Sequence, residues 1–185
     1  MLGDDVLLVR RCLRGDASAM ERLVAQYQSD VFGLCVRMMQ HRHDAEDVTQ
    51  EVFLRVFRSL RRWDTRRPLK PWIMGIAVNR CRTWLALRAR RPELVEYLHE
   101  IATPHAADDS VELSREIEAA VRDLRLEYQS VFLLFHQLGL AYEEISRAMG
   151  KPVGTVKTWL HRARLEVLDR LRKRGMISEV GHELP

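Results

Sequence analysis

The feature that most limits the fold of this chain is the spacing of its apolar residues. Between residues 17 and 40 they fall at Met20, Leu23, Val24, Tyr27, Val31, Leu34, Cys35 and Met38. A stripe with this three-to-four residue period is typical of an amphipathic helix. Similar stripes occupy most of the chain, and no strand-like alternation continues for more than a few residues. The sequence therefore predicts an all-α fold.

Helix ends can be placed by turn and capping residues. Gly15 and Asp16 interrupt a short first helix, and Asp44 is predicted to cap a helix that continues to about residue 60. Pro71 suits the first turn of another helix, which ends near Pro92. Further helical stripes are predicted over residues 111–124, 128–138, 141–149 and 153–174.

Charge is distributed unevenly along the chain, although the formal net charge is only +4. Residues 55–91, the first basic segment, contain twelve Arg or Lys and one acid, Asp64. Residues 151–174, the second basic segment, contain eight Arg or Lys and two acids. The stretch between Pro92 and Glu112 has no Arg or Lys and carries Glu93, Glu96, Glu100, Asp108, Asp109 and Glu112. Two phosphate-facing surfaces on either side of an acidic segment are therefore expected.

This pattern predicts two small helical domains joined by a flexible acidic linker. We place the first domain at residues 1–92, the linker at 93–112, the second domain at 113–175 and a short tail at 176–185. The chain of 185 residues is long enough for such a pair.

Several other classes of protein are disfavoured. The three cysteines, Cys12, Cys35 and Cys81, are too far apart to indicate a disulfide framework or a zinc site. His41 and His43 could join Cys35 as metal ligands, but Cys35 lies on an apolar stripe, so we expect no metal and no cofactor. The first residues are too acidic for a signal peptide, and no apolar run could span a membrane, so we expect a cytoplasmic protein. No P-loop or nucleophile–base set indicates an enzyme.

A helix-turn-helix unit is predicted over residues 141–164. Gly150 can end the first helix in a left-handed turn and Pro152 can begin the second. Small Ala148 would allow the two helices to cross closely. The exposed face of the second helix would then carry Thr155, Lys157, Thr158, His161 and Arg162. These side chains can contact phosphates and base edges. The alternative is an ordinary solvated helix face, and Trp159 could lie in the core or beside the groove.

Three tryptophans lie within the first basic segment. Trp72 and Trp84 are expected in the core, whereas Trp63 lies in a polar loop where burial is less obvious. Cations interleaved with aromatic rings suit an opened DNA strand, because cations follow the backbone while rings stack on bases. Together with a duplex-binding unit, this indicates a protein that finds a DNA site and helps to open it.

In these motifs the chain resembles the extracytoplasmic-function (ECF) sigma factors of bacterial RNA polymerase. The similarity is carried by "DAEDVTQEVFLRVFRSL" (residues 44–60), "PWIMGIAVNRCRTWLALRARRP" (residues 71–92) and "YQSVFLLFHQLGLAYEEISRAMGKPVGTVKTWLHRAR" (residues 128–164). The first two look like sigma region two and the third like region four. The resemblance implies two partners, core RNA polymerase (its clamp and flap regions) and promoter DNA. It also implies that an anti-sigma factor could hold the protein inactive.

The resemblance also implies residue roles. Residues that would contact the polymerase clamp are Asp47, Gln50 and Glu51. Residues that would recognise the minus-ten element and its unpaired base are Trp63, Arg66, Arg67, Asn79 and Arg80. Residues that would read the minus-thirty-five element are Thr155, Lys157, Thr158, His161 and Arg162. The acidic linker would pass through the polymerase toward the RNA exit path.

The sequence departs from the family pattern at two DNA-contacting places. Many relatives have Arg-Ser-Arg where this chain has Lys157, Thr158 and Trp159, and Lys cannot make the two-pronged hydrogen bonds of Arg. The loop "RRPLKPW" (residues 66–72) carries two prolines, Pro68 and Pro71, where relatives commonly have an aromatic residue near this point. A rival interpretation is a stand-alone helix-turn-helix regulator, but that class does not explain the first basic segment or the acidic motif before it.

Overall fold

The computed structural model describes residues 2–90 and 109–177, and this part of the chain is helical apart from short turns. Its helices are α1 (Leu2–Leu13), α2 (Ala17–Met39), α3 (Arg42–Ser59), α4 (Leu69–Ala89), α5 (Asp109–Arg122), α6 (Leu126–Phe132), α7 (Tyr142–Met149) and α8 (Val153–Lys173). These described residues form no strand, which confirms the all-α prediction. None of these helices is long and apolar enough to cross a membrane.

The predicted acidic linker lies mostly outside the described residues. Only residues 109–112 of the predicted span 93–112 are described, and they form the first turn of α5. Of the predicted tail at residues 176–185, only the first two residues are described.

The first four helices form one bundle. Gly15 takes a positive φ of 84° and ends α1, and the Asp16 carboxylate accepts a hydrogen bond from the Ala19 amide to cap α2. The predicted stripe of α2 faces inward and packs on α3 and α4. Its most deeply buried members are Leu23, Val31, Leu34 and Cys35. The apolar period thus places α2 at the centre of the bundle.

The start of α3 differs from the prediction that Asp44 is its cap. Gln40 ends α2 in the left-handed conformation with φ 60°, and His41 caps α3 through Nδ1, which accepts from the Asp44 amide at 3.3 Å. The Asp44 carboxylate instead pairs with Nη1 of Arg88 on α4, at 2.5 Å. Asp44 therefore ties the first turn of α3 to the end of α4, a contact that spacing along the chain cannot reveal.

Two of the cysteines meet in the core of this bundle. The Cys81 thiol on α4 donates a hydrogen bond to the Cys35 sulfur on α2, at 3.6 Å. That hydrogen bond lowers the pKa of Cys35 and raises the pKa of Cys81. Among the described residues, no cluster of three or more His, Cys, Asp or Glu side chains could hold a metal ion.

The C-terminal helices form a second bundle around α8. A π-helical segment, Leu133–Gln137, continues α6, and α7 and α8 follow as the predicted helix-turn-helix. Gly150 ends α7 with a φ of 62°, and α8 begins directly after Pro152. The inner faces of the two helices bury Ile145, Val156 and Leu160. The predicted Gly150–Pro152 turn is therefore present.

A Gly150→Ala variant is expected to lose about 1 kcal/mol of unfolding free energy, because a Cβ is disfavoured at positive φ. A steric clash is not the cause of this loss, since no atom lies within 4 Å of the position of that Cβ. Urea denaturation measures the loss. The matched control is Gly154→Ala, which also adds a Cβ in open space but lies within α8. Equal stability of the two variants would contradict the explanation from backbone conformation.

The two bundles contact each other directly. Helix α4 of the first packs against α7 of the second, and Gly75 lies against Ala148. A Cβ built on Gly75 would lie 2.8 Å from the carbonyl oxygen of Ala148. Small Ala148, which was predicted to allow a close crossing of α7 and α8, thus lies against α4 of the first bundle.

Candidate polymerase and promoter interfaces

One face of α3 combines acidic, amide and apolar side chains. Asp47 and Gln50 are exposed and Glu51 is half-buried, while Val48 and Val52 face the bundle core. One turn beyond, Leu54 leaves 54% of its surface exposed on the outer side of the helix. The exposed polar groups and the apolar leucine form a surface suited to a protein partner, with a buriable centre and a polar rim.

Glu51 also has a partner within the chain. Its carboxylate forms an ion pair with Arg80 of α4, whose side chain is only 14% exposed. Sequence reasoning assigned Glu51 to polymerase and Arg80 to DNA, and gave no reason to connect them. In the structure the pair joins the two surfaces.

The loop between α3 and α4 corrects one prediction. Trp63 was expected to offer an open ring at the minus-ten surface, but only 5% of the residue is exposed. A short 3-10 helix, Leu60–Arg62, turns the chain so that Trp63 enters the core beside Leu60. Its indole Nε1 is buried and has no hydrogen-bond partner within the described part of the chain. The buried side chain of Trp63 therefore anchors the loop to the core and does not present a face on which a base could stack.

Two predicted DNA-contacting cations lie on the outside of this loop. The side chains of Arg66 and Arg67 are 87% and 56% exposed, and both pair with Asp64, at 3.0 and 3.2 Å. The hydrogen bonds from Arg66 lower the pKa of Asp64 below its usual value. Asp64, the only acid of the first basic segment, thus orients both guanidinium groups without being buried.

Asn79 lies at a cavity of about 280 Å³ beside α4. The residue is exposed on α4, and the cavity is also lined by Trp63, Trp72 and Arg67. An exposed amide, an aromatic residue and a cation at one cavity form a combination suited to hold an unstacked base. Arg147 and Ala148 of α7, in the other bundle, also line this cavity.

The predicted reading face of α8 is present as one continuous surface. Lys157, Thr158, His161 and Arg162 are exposed, and Thr155 is half-buried at its edge. The ring of Trp159 is half-buried against the core, so it has one open side at this surface. This face has the side chains needed to enter a major groove.

Two tyrosines hold the cations of that face in position. The Lys157 ammonium lies 5.5 Å from the ring centre of Tyr142 on α7. Arg162 donates a hydrogen bond from Nη1 to the hydroxyl of Tyr128 on α6, at 3.3 Å, which raises the pKa of Arg162. Both cations are therefore partly oriented before any DNA arrives.

Two candidate contact residues escaped the sequence reasoning. Leu54 became a candidate because it is exposed in the folded bundle. Arg147 lies on α7, before the turn, and enters the site because α7 packs on α4. The signal available for Leu54 was its place one turn after Gln50 and Glu51; no local signal exists for Arg147.

Comparison with protein families assigns both bundles. Residues 23–91 match the family model Sigma-70 region 2, and residues 114–167 match the model Sigma-70, region 4. The two matches cover the candidate polymerase and minus-ten surfaces and the candidate minus-thirty-five surface, respectively.

Curated relatives match over nearly the whole chain. The RNA polymerase sigma-H factor of Pseudomonas aeruginosa is 32% identical over 179 residues, covering 90% of this chain and 92% of the relative. The ECF RNA polymerase sigma factor SigW of Bacillus subtilis is 31% identical over 179 residues, covering 89% and 95%.

Solved structures share the fold. CnrH, in its complex with the cytosolic domain of CnrY, matches with a TM-score of 0.68 at 22% identity, over 90% of this chain and 96% of that one. The sigma factor RpoE from Bartonella quintana, in its complex with the anti-sigma factor NepR, matches with a TM-score of 0.69 at 19% identity, over 82% and 96%. From its two sigma regions, their order and these full-length relatives, we conclude that the chain belongs to the ECF sigma factors, which bind core RNA polymerase, direct it to specific promoters and promote the DNA melting that starts transcription.

Proposed function

We propose that three surfaces divide the work of this sigma factor. The outer face of α3, with Asp47, Gln50, Glu51 and the added Leu54, binds the polymerase clamp. The cations and the amide beside the cavity hold the opened minus-ten strand. The exposed face of α8 reads the minus-thirty-five element as duplex. The observation that carries this proposal is the position of exposed Asn79 at a cavity that Trp72 and Arg67 also line.

Within the minus-ten surface the side chains have different tasks. Arg66 and Arg67 meet the backbone of the strand, since both guanidinium groups are exposed and face the same carboxylate. Asn79 pairs with the edge of the unstacked base. Arg80 binds a phosphate of the strand in place of its ion pair with Glu51. Trp63 packs in the core and supports the wall of the cavity. The predicted DNA role of Trp63 thereby becomes indirect.

Within the minus-thirty-five surface, Arg162 and Lys157 supply charge and base contacts, and Thr155, Thr158 and His161 fill the remaining positions of the face. The Thr158 hydroxyl donates to the carbonyl of Gly154 at 2.9 Å, which leaves its methyl group and oxygen lone pairs for DNA. These roles are compatible with the lysine and threonine that this chain has at positions 157 and 158, where many relatives have Arg and Ser.

The proposal includes partners and location. The chain acts in the cytoplasm, carries out no covalent chemistry of its own, and needs no cofactor. An anti-sigma factor is a further partner, supported by the complex of the similar RpoE fold with NepR. The flap of the polymerase would contact the second bundle while the clamp holds the first.

An Asn79→Ala variant is expected to open promoters at least about tenfold less well, because the unstacking cost of a few kcal/mol loses its compensating amide contact. Closed-complex formation should change much less. Permanganate footprinting of unpaired thymines measures opening, and filter binding measures the closed complex. The matched control is Thr83→Ala, on the next turn of α4, whose hydroxyl donates to the Asn79 carbonyl. Equal thymine reactivity in both variants would exclude Asn79 from the opened strand.

A further inference from the structure

We propose that Cys35 and Cys81 form a covalent modification site inside the first bundle. A two-electron oxidant of the hydroperoxide class converts the two thiols into a disulfide between α2 and α4, and a thiol reductant reverses the change. The disulfide weakens strand binding at the minus-ten surface of α4 and leaves the polymerase-binding face of α3 in place. This effect on DNA rests on the proposed location of the minus-ten surface, whereas the modification itself does not.

The first argument is the position of the two sulfurs. Sγ of Cys81 lies 3.6 Å from Sγ of Cys35, although the residues are 46 positions apart in the chain, and neither has any exposed surface. Their helices, α4 and α2, pack directly on each other. Sulfurs already in contact need only side-chain rotation and a small helix movement to reach the bond length of about 2.05 Å in a disulfide. The fold therefore holds the two thiols within bonding reach.

The second argument is that the surroundings make the two sulfurs chemically different. The hydrogen bond that the Cys81 thiol donates lowers the pKa of Cys35 and raises the pKa of Cys81. Oγ1 of Thr49 on α3 is buried and makes no hydrogen bond to the described residues. It is therefore available to donate to a Cys35 thiolate, a contact that lowers the pKa of Cys35 further. Because the thiolate is the nucleophile in thiol oxidation, Cys35 is the attacking residue and Cys81 the resolving one.

The oxidation balances in two steps. The Cys35 thiolate attacks one oxygen of hydrogen peroxide, the O–O bond breaks, and the sulfur becomes a sulfenic acid while the released hydroxide takes up a proton to form water. The Cys81 sulfur then attacks the Cys35 sulfur and gives its proton to the departing hydroxide, which leaves as a second water. Two thiols and one peroxide thus give one disulfide and two waters, and the peroxide takes up the two electrons that the sulfurs lose.

The third argument is the contrast with the third cysteine of the chain. Cys12 is also buried, at 3% exposed, but it lies on α1, and its burial and the nearby Asp16 carboxylate raise its pKa. Burial means that an oxidant reaches any of the three sulfurs only when the bundle opens locally. Selective reaction of Cys35 with Cys81 therefore reports their arrangement in the fold, and Cys12 is an internal control.

The effect on DNA follows from where Cys81 lies. It occupies the inner side of α4, directly after Arg80 and within one turn of Asn79, and both of these residues are proposed to contact the opened strand. Closing the bond brings the two sulfurs about 1.5 Å closer together, so this turn of α4 moves with Cys81. A displacement of about 1 Å is enough to weaken a precisely held contact about tenfold or more. Helix α3 carries no cysteine, so its outer face still binds polymerase.

The test of the modification exposes the full-length protein to hydrogen peroxide under native conditions, blocks the remaining thiols and maps the peptides by mass spectrometry. We expect a cross-linked peptide pair containing Cys35 and Cys81, an intact mass lower by two hydrogen atoms, and unmodified Cys12. Dithiothreitol should restore the original mass. The oxidised protein should melt about 10 °C higher, because a cross-link over 46 positions restricts the unfolded chain.

The test of the effect on DNA uses oxidised protein that has been freed of peroxide before core polymerase is added. We expect unchanged affinity for core enzyme and about tenfold less promoter opening by permanganate footprinting, with recovery after dithiothreitol. Cys12→Ala retains the pair and should behave as wild type. Cys81→Ala cannot form the bond, so peroxide should change neither its melting temperature nor its promoter opening. Should Cys81→Ala fail to fold, Thr49→Val provides the second variant, since losing the hydroxyl should slow disulfide formation about threefold.

Absence of the Cys35–Cys81 cross-link, or cross-links that include Cys12 equally often, would overturn the modification site. A cross-link with unchanged promoter opening would overturn its effect on the minus-ten surface. Failure of the proposed minus-ten site itself would look different, because reduced Asn79→Ala would then open promoters as well as wild type while the cross-link still forms.

Discussion

A Glu51→Lys variant is expected to bind core RNA polymerase about ten- to a hundredfold more weakly than wild type. The change removes a carboxylate from the proposed clamp-binding face and puts a cation in its place, a loss of about 1.5–3 kcal/mol for an interface charge. The half-buried position of Glu51 among Asp47, Gln50 and exposed Leu54 supports this size of effect. Affinity can be measured by fluorescence anisotropy of the labelled protein titrated with core enzyme.

The ion pair with Arg80 complicates this variant and also supplies its control. Glu51→Lys leaves Arg80 facing another cation, so part of the effect could come from a disturbed bundle. The double variant Glu51→Lys, Arg80→Glu restores an internal pair with reversed charges. We expect it to recover thermal stability while polymerase binding stays weak. Recovery of polymerase binding together with stability would mean that Glu51 acts only within the chain.

Replacing Arg162 or Lys157 with alanine is expected to reduce transcription from promoters that depend on the minus-thirty-five element. A base-reading contact is worth about 1–3 kcal/mol, or roughly five- to 150-fold. Arg162 should show the larger effect, because a guanidinium group can make two hydrogen bonds to one base edge, whereas the ammonium of Lys157 acts as a point charge. In vitro transcription with reconstituted holoenzyme measures both.

Two further variants show whether these side chains read bases or only bind phosphates. Arg162→Lys retains the charge and should still lose most of the discrimination between promoters if the two-pronged contact is used. Lys173→Ala removes a cation from the exposed far end of α8 and serves as the matched control. If Arg162→Ala transcribes every promoter as well as Lys173→Ala does, α8 is not the reader.

Features set by local spacing could be predicted from the sequence. The stripe of α2, the stop at Gly15 and the Gly150–Pro152 turn all depend on residues within a few positions of one another, and each is present. The exposed face of α8 follows from the same logic, because burial of Val156 and Leu160 leaves the proposed minus-thirty-five residues outside.

Features set by contacts between distant helices could not be predicted. Trp63 looked exposed because its neighbours in sequence are polar, but the 3-10 turn at residues 60–62 directs its ring inward. Glu51 and Arg80 lie on different helices, and their pairing depends on how α3 packs on α4. Ala148 touches Gly75 across seventy-odd residues of sequence, so no periodicity within either helix reports the contact. Each correction thus arises from tertiary packing.

The most direct test of the central claim is transcription by core RNA polymerase on genomic DNA fragments, with and without this protein, followed by mapping of RNA start sites. We expect discrete start sites only in its presence, preceded by shared minus-ten and minus-thirty-five elements, and weak binding of those fragments by the protein alone. Start sites identical to those of core enzyme alone, with tight duplex binding in the absence of polymerase, would contradict the account and indicate a stand-alone regulator.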